Sequence, residues 1–393
     1  MGRTAVGTDP GTTADGVAPA EDGAWMASGL QELTGRPDGP GLGPPPGLVG
    51  GVRDLAAAIA RDSAALGRPV VVDPLALMAA RARHGRMVRG GSISVGGASR
   101  LVPVADGWMA VSLARPSDWE LVAAWLGLRA PVGDGDWGRV ESAMAPFGAD
   151  ELVARSAGLG LPVARVGERR GPGGGPDRTG VSVAALGPGS PPVALSDLVV
   201  ADLSTLWAGP LVGALLVRGG ARVVKVESVT RPDGARRGRP EHFASLNDGK
   251  ESTRLAWGTP AGRTELDRII AGSDVVITSA RPRALDQLGL DPVSTVRDGR
   301  PRAWLSVTGY GSDPGSRERV AFGDDAAAAG GLVVWDDRGP CFCADAVADP
   351  LTGLAAAAAV MAALARGGDH LIDASMSDVS AEVVGADDTV GTV

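Results

Sequence analysis

One short motif in this chain combines residue types that could support acyl transfer. Residues 349–353 read Asp-Pro-Leu-Thr-Gly and lead into an alanine-rich stretch. An aspartate before a proline is typical of a helix start, because the carboxylate caps free N–H groups and proline needs no hydrogen bond there. The same position keeps a carboxylate ionised, and a poorly solvated carboxylate can attack an activated acyl group. The two interpretations are compatible, so Asp349 is the candidate catalytic residue.

Other templates for catalytic or binding sites fail. Residues 246–252 (LNDGKES) superficially resemble a phosphate-binding loop, but Ala244 replaces the first glycine and glutamate follows Lys250 where serine or threonine is needed. Cys341 and Cys343 are separated by a single residue, which is too close for the usual zinc or thioredoxin spacing. The three histidines are scattered singly. We therefore predict no metal site and no Ser-His-Asp site.

Composition excludes several classes of protein. The 393 residues carry a net charge of −8, which argues against binding nucleic acid through its phosphates. Two cysteines cannot form a disulfide scaffold of this size, so we expect a reducing compartment. The sequence shows no targeting segment, and the apolar run 350–365 is interrupted and shorter than the roughly 20 residues of a membrane span. We predict a cytoplasmic protein that does not bind membranes.

Lysine and tyrosine are rare in this chain. Only two of the 38 basic residues are lysine, Lys225 and Lys250, and Tyr310 is the one tyrosine. The bias toward arginine fits a GC-rich genome. Lys225 shares a strand face with Glu227, which favours a pair at the sheet edge. Lys250 follows a turn and is better placed to bind a ligand. Tyr310 lies between Gly309 and another glycine, where it is equally a ligand contact or a plain turn residue.

The chain divides into segments with different patterns. Short apolar runs alternate with helical stretches in the second half, which predicts a parallel sheet with a ligand site at the carboxyl ends of its strands. The region before the linker predicts a small α+β unit with a strand pair around residues 106–107. The predicted segments are a flexible N-terminus (1–24), a helical segment (25–90), a small α+β domain (91–168), a Gly/Pro linker (169–195) and a large α/β domain (196–393).

The sequence also contains an internal echo. Residues 27–79 and 330–381 show the same order of a helix, a strand and a second helix when Gly50 is placed on Gly353 and Asp73 on Asp373. Chance similarity in a chain rich in alanine and glycine is the alternative.

Six motifs in one order resemble the class III CoA-transferases, the CaiB/BaiF family. The small unit, in residues 91–125 and 161–166, resembles the small domain of that family. The six motifs are residues 201–210 (ADLSTLWAGP), 219–227 (GGARVVKVE), 246–252 (LNDGKES), 279–290 (SARPRALDQLGL), 307–311 (VTGYG) and 349–353 (DPLTG).

The resemblance implies an α/β fold with a Rossmann-like, parallel-sheet CoA-binding domain and a smaller α+β domain, assembled as an intertwined homodimer. In the family the small domain comes after the nucleotide-binding half, whereas here it comes first. The echo explains this order if the chain resembles the middle of a tandem fusion, with residues 25–90 as a degenerate repeat. Pro46 then matches Asp349, so one catalytic site per chain is implied. The reversed order would place one subunit's small domain over the CoA site of the other.

The resemblance also implies a mechanism. Asp349 would attack an acyl-CoA to form a mixed anhydride, the CoA thiolate would convert this to an aspartyl-CoA thioester, and an acceptor carboxylate would take over the CoA. Acyl-CoA and a carboxylic acid are the implied substrates, with no permanently bound cofactor.

The resemblance further implies a set of CoA contacts. Ser228 and Gln287 stand where basic residues can hold phosphates, and Arg231, Arg236 or Arg237 compensates unless that loop is merely solvated. The predicted CoA-binding residues are Leu206, Trp207, Ser228, Arg236, Lys250, Leu255, Ser279, Arg281, Gln287, Gly309 and Tyr310.

Two other functions are compatible with the sequence. A CoA-binding or assembly subunit with weakened catalysis would fit the departures at the phosphate contacts. A 2-methylacyl-CoA racemase is disfavoured, because that branch has Gly-His-Asp where this chain has Gly323-Asp324-Asp325. The apolar residues 321–334 are either an acyl pocket or core.

Overall fold

Helices form the first described part of the chain. The computed structural model describes residues 19–169, 180–187 and 190–384. The helices before the small unit are α1 (Pro19–Ser28), α2 (Leu48–Ala65), α3 (Pro74–Met78) and α4 (Ala80–Gly85). Because α1 begins at Pro19, residues 19–24 are helical and the predicted flexible N-terminus extends too far; residues 1–18 lie outside the described residues. Trp25 anchors α1, since its side chain is buried and its indole N–H donates to the Leu42 carbonyl.

The small α+β unit has the predicted elements. Its three strands form an antiparallel sheet in the order β1-β2-β3, and its helices cover a separate core built around Trp119, Trp125 and Trp137. The elements are β1 (Ser99–Val104), β2 (Gly107–Ser112), α5 (Pro116–Leu126), α6 (Trp137–Met144), α7 (Ala149–Ala157) and β3 (Val163–Arg165).

The large domain contains a seven-stranded sheet and a short hairpin. Its strands are β4 (Val181–Ala185), β5 (Val199–Asp202), β6 (Arg222–Ser228), β7 (Glu251–Leu255), β8 (Val275–Thr278), β9 (Ala303–Thr308), β10 (Val333–Asp336), β11 (Gly339–Phe342) and β12 (His370–Ser375). Its helices are α8 (Ala208–Gly219), α9 (Pro240–Asn247), α10 (Pro260–Ala271), α11 (Pro282–Gln287), α12 (Pro292–Arg297), α13 (Gly323–Ala329), α14 (Ala348–Arg366) and α15 (Met376–Val384).

The order of the large sheet confirms the predicted α/β fold. The strands lie in the order β4-β12-β9-β8-β5-β6-β7, and every neighbouring pair is parallel except β4 with β12. The six parallel strands follow the doubly wound order 3-2-1-4-5-6, in which chain direction across the sheet reverses between β5 and β8. A ligand crevice is expected at the carboxyl ends of those two strands.

Part of the predicted linker is a strand. β4 lies within residues 169–195 and pairs with β12, with Ser182 opposite Asp373. Its apolar alternation is short, and the glycines and prolines on both sides hid it; pairing with β12 supplies the order that composition did not indicate. The remaining Gly-rich part, residues 170–179 and 188–189, lies outside the described residues.

Helix α14 lies at the centre of the main core. It packs against α2, α8 and α15, so the N-terminal helices and one face of the large sheet share one apolar core. By length and composition α14 could span a membrane, but 78% of its most apolar window is buried inside the protein. Burial of this extent is typical of a core helix.

The echo is only partly reproduced in the fold. The strand that the echo predicts before α3 does not form: residues 70–73 connect α2 to α3 and belong to none of the described sheets. In the second copy, the corresponding residues form β12, which lies between β9 and β4. A single sheet has room for only one of the two segments between those strands.

Candidate functional site

A cleft opens at the carboxyl ends of the parallel strands. Its volume is about 610 Å³, and the loops after β5, β8 and β9 form its walls. Two of these loops flank the point where the sheet reverses direction, so the ligand crevice lies where the topology predicts it. The small unit also contributes to the wall, through Arg115.

Asp349 lies in this cleft, in the first turn of α14. Helix α14 begins at Ala348, two residues earlier than the sequence predicts, so Asp349 is a helical residue and not the N-cap. Its carboxylate accepts a hydrogen bond from the backbone N–H of Ala208, the first residue of α8. The free N–H groups at a helix start favour negative charge, so α8 stabilises the ionised form of Asp349.

A strained turn precedes Asp349. Ala344 and Ala346 have φ values of 53° and 45°, in the left-handed region that alanine rarely adopts. The Ala344 N–H donates to Thr34 Oγ1 and the Ala346 N–H donates to Asp324 Oδ1, both at 3.0 Å. Such strain persists only when surrounding contacts hold it, and it concentrates at functional sites.

Two glycines make room for Asp349. A Cβ on Gly323 would lie 2.2 Å from Oδ2 of Asp349 and 2.5 Å from the Ala346 carbonyl oxygen. A Cβ on Gly353 would lie 2.9 Å from the Ala208 carbonyl oxygen and 2.8 Å from Leu211. The close approach of α8, α13 and α14 around the carboxylate therefore requires glycine at both positions.

The surroundings of Asp349 shift its ionisation. Burial raises the pKa of Asp349 to about 7. The Arg81 guanidinium and the Ala208 hydrogen bond act against this pKa shift, whereas the nearby Asp324 and Asp345 carboxylates add to it. A substantial fraction of Asp349 is therefore ionised at neutral pH, and that fraction rises with pH.

Six arginines line the cleft: Arg115, Arg231, Arg263, Arg281, Arg317 and Arg319. Sequence reasoning proposed Arg281 and left Arg231 open, but missed the other four. Arg115, Arg317 and Arg319 each have a carboxylate partner. Among the described residues, Arg231, Arg263 and Arg281 form no ion pair. The arginines come from segments distant in sequence, and an arginine-rich composition gives no signal that would single them out.

A comparison with known proteins agrees with this geometry. Residues 195–389 match the family model described as CoA-transferase family III. This match covers just under half of the chain, and over these residues the chain is similar to CoA-transferase family III.

Part of the chain is also similar to individual known proteins. It is 30% identical over 186 residues to the succinyl-CoA--D-citramalate CoA-transferase of Chloroflexus aurantiacus, covering 44% of this chain and 46% of that protein. It is 32% identical over 183 residues to the formyl-CoA:oxalate CoA-transferase of Streptomyces avermitilis, covering 44% of each. A CaiB/BaiF family protein from Brucella suis, solved by crystallography, is 30% identical with a TM-score of 0.44, over 49% of this chain and 56% of that one. The chain spans about half the length of the curated relatives it matches.

Most of the predicted contact residues meet in the cleft. Leu206 has a φ of 69°, and its N–H donates to Asp233, which fixes the loop after β5. The Ser279 hydroxyl accepts the Thr205 N–H and so joins the loops after β5 and β8. The predicted residues that line the cleft are Leu206, Ser228, Ser279, Arg281, Gln287, Gly309 and Asp349.

The predicted ligand role of Lys250 needs correction. Its side chain is 1% exposed, and its ammonium donates to Asp202 Oδ2 and to the Pro210 carbonyl, both at 2.8 Å. Lys225 is similarly buried and pairs with Asp233 at 2.9 Å, whereas the pattern favoured Glu227 as its neighbour. Both lysines therefore hold loops at the base of the cleft, and neither ammonium is available to a ligand.

Tyr310 is likewise a buried structural residue. Its ring is 1% exposed and lies 3.5 Å, centroid to guanidinium carbon, from Arg319. Arg169 also faces the ring and donates to the Tyr310 carbonyl. The residue joins the small unit to the large domain and does not line the cleft.

Three further predicted contacts point away from the cleft. Trp207 is buried, with its ring centroid 4.9 Å from that of His242. Leu255 belongs to the core beneath the sheet. Arg236 forms an ion pair with Glu227 at 2.6 Å, so of the alternatives in that loop it is Arg231 that lines the cleft.

The Gly323-Asp324-Asp325 sequence forms the start of α13. Burial raises the pKa of Asp324, and it raises the pKa of Asp325 to about 7. Hydroxyls of the small unit bind both carboxyls, with Ser99 donating to Asp324 and Ser112 to Asp325. None of the described residues that line the cleft is a histidine.

Two other expectations concern an apolar acyl pocket and a metal site. Of the apolar residues 321–334, Ala321 and Phe322 line the cleft, whereas Ala326–Ala329 and Leu332 are core. Over the described part of the chain, no group of three His, Cys, Asp or Glu side chains is arranged to hold a metal ion.

Proposed function

We propose that this chain is an acyl-CoA:carboxylate CoA-transferase in which Asp349 is the covalent acyl acceptor. One observation carries the proposal: among the described residues that line the cleft, Asp349 is the only one with a carboxylate. It stands at the switch point of a doubly wound sheet, in a cleft whose wall also carries arginines that suit a substrate with several phosphates.

The arginines support binding of CoA. A CoA molecule carries a pyrophosphate and a 3′-phosphate, and guanidinium groups bind phosphate in a bidentate manner. Arg231, Arg263 and Arg281 have no ion pair among the described residues and are the candidates for this role. Ser228 and Gln287, which replace basic residues, lie among these arginines on the cleft wall.

The proposed reaction has four steps. An Asp349 oxygen attacks the thioester carbonyl and expels the CoA thiolate, giving a mixed anhydride. The thiolate attacks the aspartyl carbonyl and releases the donor acid as a carboxylate, leaving an aspartyl-CoA thioester. The acceptor carboxylate attacks that thioester and expels the thiolate again, giving a second anhydride. The thiolate finally attacks the acceptor's acyl carbon and frees Asp349.

The position of Asp349 suits both halves of this cycle. Only the ionised carboxyl attacks a thioester, and the Ala208 N–H and Arg81 favour that form. Burial leaves the carboxylate poorly solvated and therefore more reactive. The neighbouring N–H groups at the start of α8 are suited to stabilising negative charge that develops on oxygen.

Mass spectrometry of the peptide containing Asp349 tests the proposal. After incubation with a panel of acyl-CoAs, we expect a mass increase corresponding to the acyl group or to CoA on that residue, and none in the Asp349→Asn variant. Without an adduct from any member of a broad panel, the transferase proposal fails. CoA binding that persists without turnover would instead indicate the binding or assembly subunit.

We also propose a homodimer, with a cleft that each chain completes for itself. Arg115 of the small unit lines the cleft of its own chain, and Ser99 and Ser112 dock on α13 of the same chain. Light scattering of the purified protein measures the oligomeric state. A monomer at every concentration would contradict the homodimer, and activity that is lost on dilution to a monomer would contradict a cleft that each chain completes for itself.

A further inference from the structure

The N-terminal helices contact the turn that presents Asp349. Arg81, on α4, donates from Nε to Asp345 Oδ2 at 2.8 Å and from a second nitrogen to Oδ1. Asp345 lies between the two strained residues Ala344 and Ala346, and its side chain is fully buried. The two-bond contact therefore fixes the turn from a part of the chain that precedes the small unit.

A second contact comes from the same segment. The Thr34 side chain is buried, and its hydroxyl accepts the Ala344 N–H while donating to the Leu30 carbonyl. Asp324 holds the other end of the turn through the Ala346 N–H. Two of the three contacts on this turn thus come from residues outside the part of the chain that matches family III.

Arg81 also carries its charge close to the carboxyl. Its guanidinium lies over the Trp207 ring, 5.6 Å from the centroid, just before α8 begins. It interacts electrostatically with Asp345, Asp324 and Asp349. A partly buried cation near three carboxyls lowers the free energy of their ionised forms.

We propose that Arg81 is a positioning residue for Asp349: it fixes the Asp345 turn and supplies the positive charge that keeps the Asp349 carboxylate ionised. The effect of Arg81 on the ionisation of Asp349 does not depend on the proposed function. Only its effect on CoA transfer rests on that proposal. In this arrangement residues 25–90, which carry Pro46 at the place that corresponds to Asp349, still support the site around Asp349. Deleting the N-terminal helices would then impair the site even though they contribute no residue to the cleft wall.

Several groups other than Arg81 act on Asp349 or titrate nearby. Asp324 and Asp345 face it from α13 and from the turn, and the Ala208 N–H faces it from α8. Asp325 also has a pKa of about 7. Near Arg81 lie His84 on α4 and His242 on α9, and burial lowers the pKa of His242 to about 4. A readout that resolves individual residues is therefore required.

The ionisation of Asp349 can be measured without turnover. Carbodiimide and an amine modify a protonated carboxyl, and mass spectrometry assigns the modification to the Asp349 peptide. We expect the pH midpoint for protection of Asp349 to rise by about one unit in Arg81→Met, a tenfold change in its acid constant. The matched control is Arg36→Met, which removes an ion pair between the segment after α1 and β10, with Asp336 at 2.7 Å; neither partner is among the main groups that shift the ionisation of Asp349. Its midpoint should coincide with that of the parent.

Kinetics separate positioning from a purely structural role. In Arg81→Met we expect a kcat at least about tenfold lower at neutral pH, partial recovery at higher pH, and an unchanged KM for acyl-CoA. If this variant does not fold, Arg81→Lys keeps the charge but loses the two-bond contact, and should keep the midpoint while lowering kcat.

Specific outcomes overturn the inference. A parental midpoint in folded Arg81→Met would refute the electrostatic role, and parental kcat in Arg81→Lys would refute the positioning role. If the parent forms no adduct with any acyl-CoA, the proposed function fails, whereas the labelling still decides whether Arg81 controls the ionisation of Asp349.

Discussion

The two halves of the internal echo share a plan but differ in what their helices present. Helix α2 has 18 residues and α14 has 19, each follows a turn with positive φ, and the two pack against each other. Before α2 the left-handed residue is Gly47, which adopts this conformation without strain. Before α14 it is alanine twice, at a cost of about 1–2 kcal/mol per residue.

The difference lies in the surroundings of each helix start. The turn before α2 abuts α15, where a Cβ on Gly47 would lie 2.7 Å from the Val383 carbonyl oxygen. The start of α14 opens into the cleft and carries Asp349, with Pro46 at the corresponding place before α2. The strained turn is therefore the one that leads to the proposed nucleophile, whereas the turn before α2 only packs against α15.

The largest effect expected is from exchanging the two helix starts. Asp349→Asn should lower transfer by at least about 10³-fold, the scale of losing a covalent nucleophile, because an amide cannot form the anhydride. Pro46→Asp should create no second site, since the turn before α2 lies against α15 and not on the cleft. Steady-state rates of CoA exchange measure both. Activity in the double variant Asp349→Asn/Pro46→Asp would contradict the claim that only the start of α14 can carry the nucleophile.

Alanine at the two aligned glycines should have opposite effects. Gly353→Ala should destabilise the protein by about 1–3 kcal/mol and lower kcat, because its Cβ would push α14 away from α8 and move Asp349, one turn earlier. Gly50→Ala should be neutral or stabilising by up to about 1 kcal/mol, since its Cβ would meet only the end of the Glu21 side chain at 3.2 Å and alanine favours a helix. Thermal unfolding and kcat would be compared; equal effects would show that the two helix contacts are equivalent.

The pH dependence of transfer should follow the ionisation of Asp349, in the first turn of α14. Because the pKa of Asp349 is raised to about 7 and its ionised form is the nucleophile, the rate should fall about tenfold per pH unit below about pH 6 and level off above about pH 8. A profile of kcat/KM against pH checks this. A rate that is constant from pH 5 to pH 8 would mean that Asp349 is not the group whose ionisation limits the reaction.

The smallest effect expected is at the aspartate that the echo aligns with Asp373. Asp73 caps α3 by accepting from the N–H groups of Leu75 and Ala76. Asp73→Ala should therefore cost about 1 kcal/mol of unfolding free energy without changing transfer. Chemical denaturation gives the first quantity and the CoA-exchange assay the second. A large loss of activity would show that α3 acts on the site.

Elements with strong local patterns were predictable. Strands β5, β6, β8 and β9 form in the second half, where short apolar runs predicted strands, because buried parallel strands are continuous apolar runs. β4 was missed and residues 70–73 were overpredicted for one reason: both have strand-like composition, but only β4 finds a partner in the sheet. Pairing is a property of the assembled sheet and not of either segment.

The residues of the candidate site that belong to backbone motifs were predictable from the sequence. Those whose location depends on an ion-pair partner in the folded chain were not. Asp349, Leu206, Ser279 and Gly309 were expected and line the cleft. Lys250 was expected there for its place after a turn, but the buried carboxylate of Asp202 binds its ammonium. A buried ammonium without a counter-ion is far more costly than an exposed one, so the choice of partner decides where such a side chain lies.

The sequence by itself determined the class of fold, the alternation of strands and helices in the second half, and the carboxylate at the start of an apolar helix, because these follow from periodicity and local backbone preference. Only the tertiary structure decided which charges face the cleft and which are paired beneath it. It made both rare lysines structural and brought arginines from distant segments together at the cleft wall. It also brought Arg81 to the turn before Asp349, because electrostatic free energy depends on distance and burial in the folded chain.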